Sequence, residues 1–250
     1  MVSDEPLHDQ EYQDERRAGE PSGEVSPSAP VAGIREVTMP FGAVALTGTI
    51  TLPDRARGIL LFAHGSGSSR FSPRNRFVAG ELHAARLGTL LIDLLTPEEE
   101  AIDRRTRALR FDIGLLAERV AAATGWLGEQ RETRGLRIGY FGASTGAAAA
   151  LVAAAQLPSA VGAVVSRGGR PDLARDALRR VIAPTLLIVG GQDTAVIPLN
   201  EAALASLPGV KRLETVPGAT HLFEEPGALE TVACLARDWF VRYLPVGDVA

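Results

Sequence analysis

Residues 140–158 read YFGASTGAAAALVAAAQLP. An apolar run ends here in Gly142-Ala143-Ser144-Thr145-Gly146, and an alanine-rich stretch of helical character begins. The pattern G-x-S-x-G suits a sharp strand-to-helix turn, in which small flanking residues let the backbone crowd together and lift the serine hydroxyl above a sheet. The chain has 26 glycines, so the motif alone does not separate a nucleophile from a tightly packed helix start. The ends of the other strands must decide.

Outward from this stretch, strand and helix patterns alternate. IREVTM and VALTGTITL read as two strands joined by a turn at Pro40-Phe41-Gly42. GILLFAH (58–64), GTLLIDLL (88–95), LRIGYFGA, AVGAVVSRGG and PTLLIVGG are continuous apolar runs, as strands buried on both faces should be, and KRLETVPG closes the series. Helices are expected near 73–86, 111–129, 144–157, 172–182, 197–207 and 225–243, and the charged stretch TPEEEAIDRRTRALR is expected to form a solvated rim. The alternation predicts an α/β fold with a mostly parallel sheet of about eight strands and helices on both faces. In such sheets, sites lie at the carboxyl ends of strands.

Three further strand ends carry chemistry. A serine hydroxyl needs a base within hydrogen-bond reach, itself oriented by an acid. Asp193 follows TLLIVGGQ, and His221 follows LETVPGAT, so the chain order is Ser, Asp, His. His64-Gly65-Ser66 ends a fourth strand, where flexible glycines allow main-chain N–H groups to face a developing oxyanion. The expected donors are the amides of Ser66 and of Thr145, the residue after the nucleophile. His64 itself is expected to order that loop rather than to act as a second base. His83 is expected at the surface, and Cys234 as a buried helical filler.

With these motifs, HGSGSSRFSPRNR, GASTG, GGQD and GATH, the chain over about residues 35–245 resembles the α/β-hydrolase superfamily. Within it, the chain looks like the dienelactone hydrolase-related branch with a serine nucleophile. The resemblance implies a hydrolase of a small ester, lactone or thioester that works through an acyl-enzyme. It departs from dienelactone hydrolase at the nucleophile, which is cysteine there and Ser144 here. The link after AVVSRGG, where related enzymes often insert a lid domain, is short, so an open site without a large lid is expected. An acyltransferase using the same triad, and a non-catalytic binding protein of the same fold, are the alternatives.

Arg167 stands at a strand's carboxyl end, with Arg70, Arg74 and Arg76 on the loop after His64. Guanidinium groups bind carboxylate and phosphate in two-pronged fashion. Arg167 and Arg70 are therefore candidates for gripping an anionic group on a small-molecule substrate; the competing expectation pairs Arg167 with Asp172.

Composition bounds the rest. Of the 250 residues, 46% are hydrophobic and 22% charged, as in ordinary globular proteins. The net charge is −4, but residues 1–30 alone carry −6, leaving no basic stripe for nucleic acid. That segment reads as a disordered acidic tail, with the hydrolase domain over 31–250. No run of 18 apolar residues occurs, and the N-terminus lacks the pattern of a secretory signal, so no membrane association and a cytoplasmic location are expected. A single cysteine and no clustered ligand set lead to no disulfide, no metal and no cofactor being expected.

Overall fold

A computed structural model describes residues 33–244. The acidic stretch 1–30, predicted to be disordered, lies outside the described residues. Eight strands form one sheet: β1 (Ile34–Phe41), β2 (Val44–Thr51), β3 (Gly58–Ala63), β4 (Leu87–Ile92), β5 (Arg137–Ala143), β6 (Val161–Arg167), β7 (Thr185–Gly190) and β8 (Lys211–Val216). Their spatial order is β1-β2-β4-β3-β5-β6-β7-β8. β1 and β2 are antiparallel, β2 meets β4 antiparallel, and β4 to β8 are parallel. From β3 the chain first crosses to β4 on one side and later continues from β5 on the other. The crevice above the carboxyl ends of β3 and β5 is therefore the topological switch point, where ligands settle in open α/β sheets.

Among the described residues six helices cover the sheet: α1 (Pro73–Ala84), α2 (Pro97–Thr106), α3 (Ile113–Glu129), α4 (Thr145–Gln156), α5 (Ile197–Ser206) and α6 (Ala228–Tyr243). One face is covered by α1 and α6, whose Val78, Leu82, Val232 and Phe240 pack on Leu60, Phe62 and Phe141. The other is covered by α3 and α4 and by a 3₁₀ segment, Pro171–Arg180. β3, β4 and β7 are buried along their whole length, which accounts for their unbroken apolar sequence. Ala147 to Leu151 of α4 have no exposed surface, so this helix is apolar all round because it is enclosed.

Local chemistry sets the boundaries. Pro73 opens α1 behind a Ser72 cap, and Asp112 caps α3 by accepting the Leu115 N–H at 3.0 Å. The first hairpin turns at Gly42-Ala43, one to two residues later than predicted, because Pro40 is tolerated in an edge strand. Most of the charged stretch after β4 is helical, as α2. Its start is a capping box in which the Thr96 hydroxyl accepts from Glu99 N–H and the Glu99 carboxylate accepts from Thr96 N–H. Among the described residues no helix is long and apolar enough to cross a membrane.

Candidate active site

Ser144 sits between β5 and α4 at φ 49° and ψ −123°, a conformation that costs a non-glycine residue of order 1–3 kcal/mol. Its surroundings hold it there. Ser144 N–H donates to Arg167 O at 3.3 Å, while Ser144 O accepts from Ala147 and Arg170 N–H, both at 3.1 Å. Both motif glycines are dictated by space. A Cβ at position 142 would lie 2.4 Å from Ala147 Cα, and one at 146 would lie 2.2 Å from Ala63 O. The Ser144 side chain is buried, and its Oγ makes no hydrogen bond among the described residues.

Asp193 and His221 are brought together 28 residues apart in sequence. His221 Nδ1 is 2.6 Å from Asp193 Oδ2, with the carboxylate 2% exposed and the imidazole 15%. The β7 exit makes this approach possible: a Cβ at Gly190 would strike Ala219 O and Thr220 O at 2.4 and 2.5 Å. The carboxylate accepts, so Nδ1 carries the proton and Nε2 presents a lone pair. Gly168, at φ +51°, lies against this ring, since a Cβ there would be 3.6 Å from His221 Cε1. Gly168 follows Arg167, the residue whose carbonyl receives Ser144 N–H, so the main chain beside the imidazole continues directly into the strand end that holds the Ser144 turn.

Ser66 and Thr145 also meet, across the switch point. Their hydroxyl oxygens are 3.1 Å apart and both residues are buried. As the first residue of α4, Thr145 has an N–H without an intrahelical acceptor. A cavity of about 240 Å³ adjoins them, lined among others by His64, Leu94, Asp103, Arg104 and Arg110. Ser144, Asp193 and His221 do not line it, so of the candidate site residues it adjoins Ser66 and Thr145 alone. Helix α2 forms its outer wall, a role hidden in the sequence by that helix's charge. The Thr96-Pro97-Glu98-Glu99 capping signature was the available signal.

The candidate arginines are each engaged by other side chains. Arg70 is taken up by Asp93 and Glu36: its guanidinium pairs with both, and its N–H donates to Asp93 Oδ1 at 2.8 Å. An anionic ligand would have to compete with these two carboxylates. Arg74 pairs with Glu224 at 2.8 Å, and Arg76 lies over the Phe71 ring. Arg167 is buried, with its guanidinium 5.9 Å from the Phe223 ring centre, and does not line the cavity. The expected Arg167–Asp172 pair does not form either, because Asp172 is held two-pronged by Arg170 at 2.9 Å.

Two smaller expectations also change. His83 is half-buried, not a surface residue; it stands 2.8 Å from Thr89 Oγ1, and burial pushes its pKa down to about 4. Cys234 is exposed, since α6 buries Val232, Ala233, Ala236 and Phe240 and turns residue 234 outward. Among the described residues no group of three or more His, Cys, Asp or Glu is arranged to hold a metal.

The sheet order, the strained serine turn and the Asp193–His221 contact define an α/β-hydrolase-fold protein. The dienelactone hydrolase family model matches residues 83–239, and the chain belongs to that family. A dienelactone hydrolase from Anabaena variabilis ATCC 29413 is 62% identical and superposes with a TM-score of 0.83, over 84% of this chain and 98% of that one. Est1E from Butyrivibrio proteoclasticus shares the fold at 15% identity and a TM-score of 0.70, over 84% and 98% of the two chains. A Mycobacterium tuberculosis protein that bears the name phosphoribosyl transferase is 61% identical over 209 residues, 84% of this chain. That stretch is 46% of the mycobacterial protein, so this chain spans about half the length of that relative.

Proposed function

We propose that the chain is a serine hydrolase that cleaves a small ester, lactone or thioester through an acyl-enzyme. The observation that carries this reading is the 2.6 Å contact of Asp193 with His221, together with a serine held at φ 49° at the exit of β5. Ser144 Oγ attacks the carbonyl carbon while His221 Nε2 takes its proton. The tetrahedral oxyanion is held by the N–H groups of Ser66 and Thr145, each of which is worth about 10²–10³ in rate. His221 then protonates the leaving group, and a water activated by the same nitrogen hydrolyses the acyl-enzyme. Asp193 keeps the imidazole in the tautomer that leaves Nε2 free to accept. The cavity behind Ser66, about 240 Å³ in volume, suits a short acyl or alcohol moiety rather than a long chain.

The reading is proposed for the 209-residue stretch shared with the longer mycobacterial protein. Steady-state hydrolysis of p-nitrophenyl acetate tests it. Ser144→Ala should lower kcat by about 10⁴ or more, given how triad losses behave. Wild-type turnover in that variant would overturn the assignment. Adding methanol during the assay separates hydrolysis from acyl transfer, since a transferase yields the methyl ester as its main product.

A further inference from the structure

His64 is buried behind the loop that carries Ser66, and neither of its ring nitrogens is free. Leu94 N–H donates to Nε2 at 3.0 Å, so Nε2 must present its lone pair. The ring proton is therefore on Nδ1, which donates to Gly65 O at 2.9 Å. A histidine so engaged is neutral and has no lone pair left for substrate, which rules it out as a second base.

Its effect lies in the peptide that it grips. Gly65 C=O and Ser66 N–H belong to one planar trans unit, and in such a unit the two groups point in opposite directions. Drawing Gly65 O back toward the imidazole turns Ser66 N–H away from it. Ser68 N–H donates to the same carbonyl at 3.2 Å, so the peptide is held from two sides. Ser66 Oγ meanwhile stands 3.1 Å from Thr145 Oγ1, which keeps the loop beside the other expected donor. The anchor continues behind the ring. Leu94 O accepts from Arg119 Nη1 at 2.7 Å, and Arg119, 2% exposed, is clamped by the Glu99 carboxylate of α2.

We propose that His64 is a positioning residue for the oxyanion hole: its Nδ1–H orients the Gly65–Ser66 peptide, and Leu94, held by Arg119, fixes the tautomer that makes this possible. The proposal rests on the serine-hydrolase reading and adds to it a residue that acts through the peptide it holds rather than by proton transfer.

Two replacements separate the ring nitrogens. Asparagine places an amide N–H where Nδ1 stands, whereas glutamine places its amide where Nε2 stands. With p-nitrophenyl acetate, His64→Asn should keep kcat within about tenfold of wild type. His64→Gln and His64→Ala should lose about 10²–10³ in kcat, the loss expected for one oxyanion donor, with KM changed less than about threefold. A kcat for His64→Gln equal to or above that of His64→Asn, or a loss confined to KM, would overturn the proposal. Imidazole ¹⁵N spectra of the wild-type chain give a second readout that does not depend on any variant folding. The His64 ring should show a protonated Nδ1 and an unprotonated Nε2; the opposite tautomer or an imidazolium contradicts the proposal. A wild-type chain that neither turns over the ester nor takes a fluorophosphonate at Ser144 would instead fell the serine-hydrolase reading, and the His64 role with it.

Discussion

Gly146 lies so close to His64 that a Cβ on it would stand 2.3 Å from the His64 carbonyl oxygen. This contact locks the first turn of α4 onto the exit of β3, the two places from which the expected oxyanion donors come. The second glycine of G-x-S-x-G is thus a spacer between two halves of one site.

Gly146→Ala should therefore be costly, because the clash is with main chain and cannot be relieved by a rotamer. We expect about 1–3 kcal/mol of lost stability, the usual cost of overpacking, together with reduced turnover. Gly125, an exposed residue inside α3 with no atom within 4 Å of an added Cβ, is the control. Gly125→Ala should stabilise by about 0.5–1 kcal/mol through helix propensity. Urea denaturation of the two variants checks the pair, and equal effects would contradict the spatial account.

Asp193→Asn should leave the fold intact and reduce kcat by about 10⁴, because an amide can donate to Nδ1 and so stabilise the wrong imidazole tautomer. KM should change little. Ester kinetics at pH 7 and 8 check this outcome, and a loss of less than tenfold would remove Asp193 from its assigned role.

The half-buried His83 predicts a pH dependence of stability. Burial lowers its folded pKa from 6.5 to about 4, so the unfolded chain binds the extra proton first. Its contribution is complete above about pH 6.5 and is lost as pH falls toward 4, by up to about 3 kcal/mol at 1.36 kcal/mol per unit. Denaturation midpoints of wild type and His83→Gln should diverge above pH 6.5 and converge near pH 4. Parallel curves would contradict this assignment.

The Arg119–Glu99 pair acts in a more acidic window. Arg119 holds the Glu99 carboxyl below the usual carboxylate range, so its contribution is present above the ordinary value near 4.5 and is lost as pH falls through the lowered one. Arg119→Met would also leave Leu94 O without this donor and loosen α2 from the cavity. We expect about 1–3 kcal/mol of destabilisation at pH 7, less than for a fully buried broken pair because Glu99 is 21% exposed. Thermal unfolding at pH 7 and pH 4 checks this, and the gap between wild type and variant should narrow at the lower pH.

The parts of the fold legible in the sequence were those where burial leaves an unambiguous pattern. The continuous apolar runs of β3, β4 and β7 marked strands covered on both faces, and Ser144 and Asp193 became candidates because each follows an apolar strand, whereas His221 follows the largely unburied β8 and was picked by chain order. Helix α2 was obscured because its charged residues are used in pairs: Glu99 with Arg119, Asp103 with Arg110. Charge predicts exposure only when the partner is water, and the partner lies beyond sequence neighbours. The same limit applied to Arg70, whose acids come from two other strands' surroundings, and to Asp172, which Arg170 captures at closer range than Arg167. Cys234 and His83 were misplaced by residue-type habit. Which face of a helix turns inward is decided by what packs on it.

The central claim is that Ser144 is the nucleophile. The most direct measurement is mass spectrometry of the intact and digested chain after exposure to a fluorophosphonate. One adduct per wild-type chain is predicted, on the peptide that contains Ser144, with none on Ser144→Ala. An adduct on another residue, or an unlabelled wild-type chain, would contradict the claim.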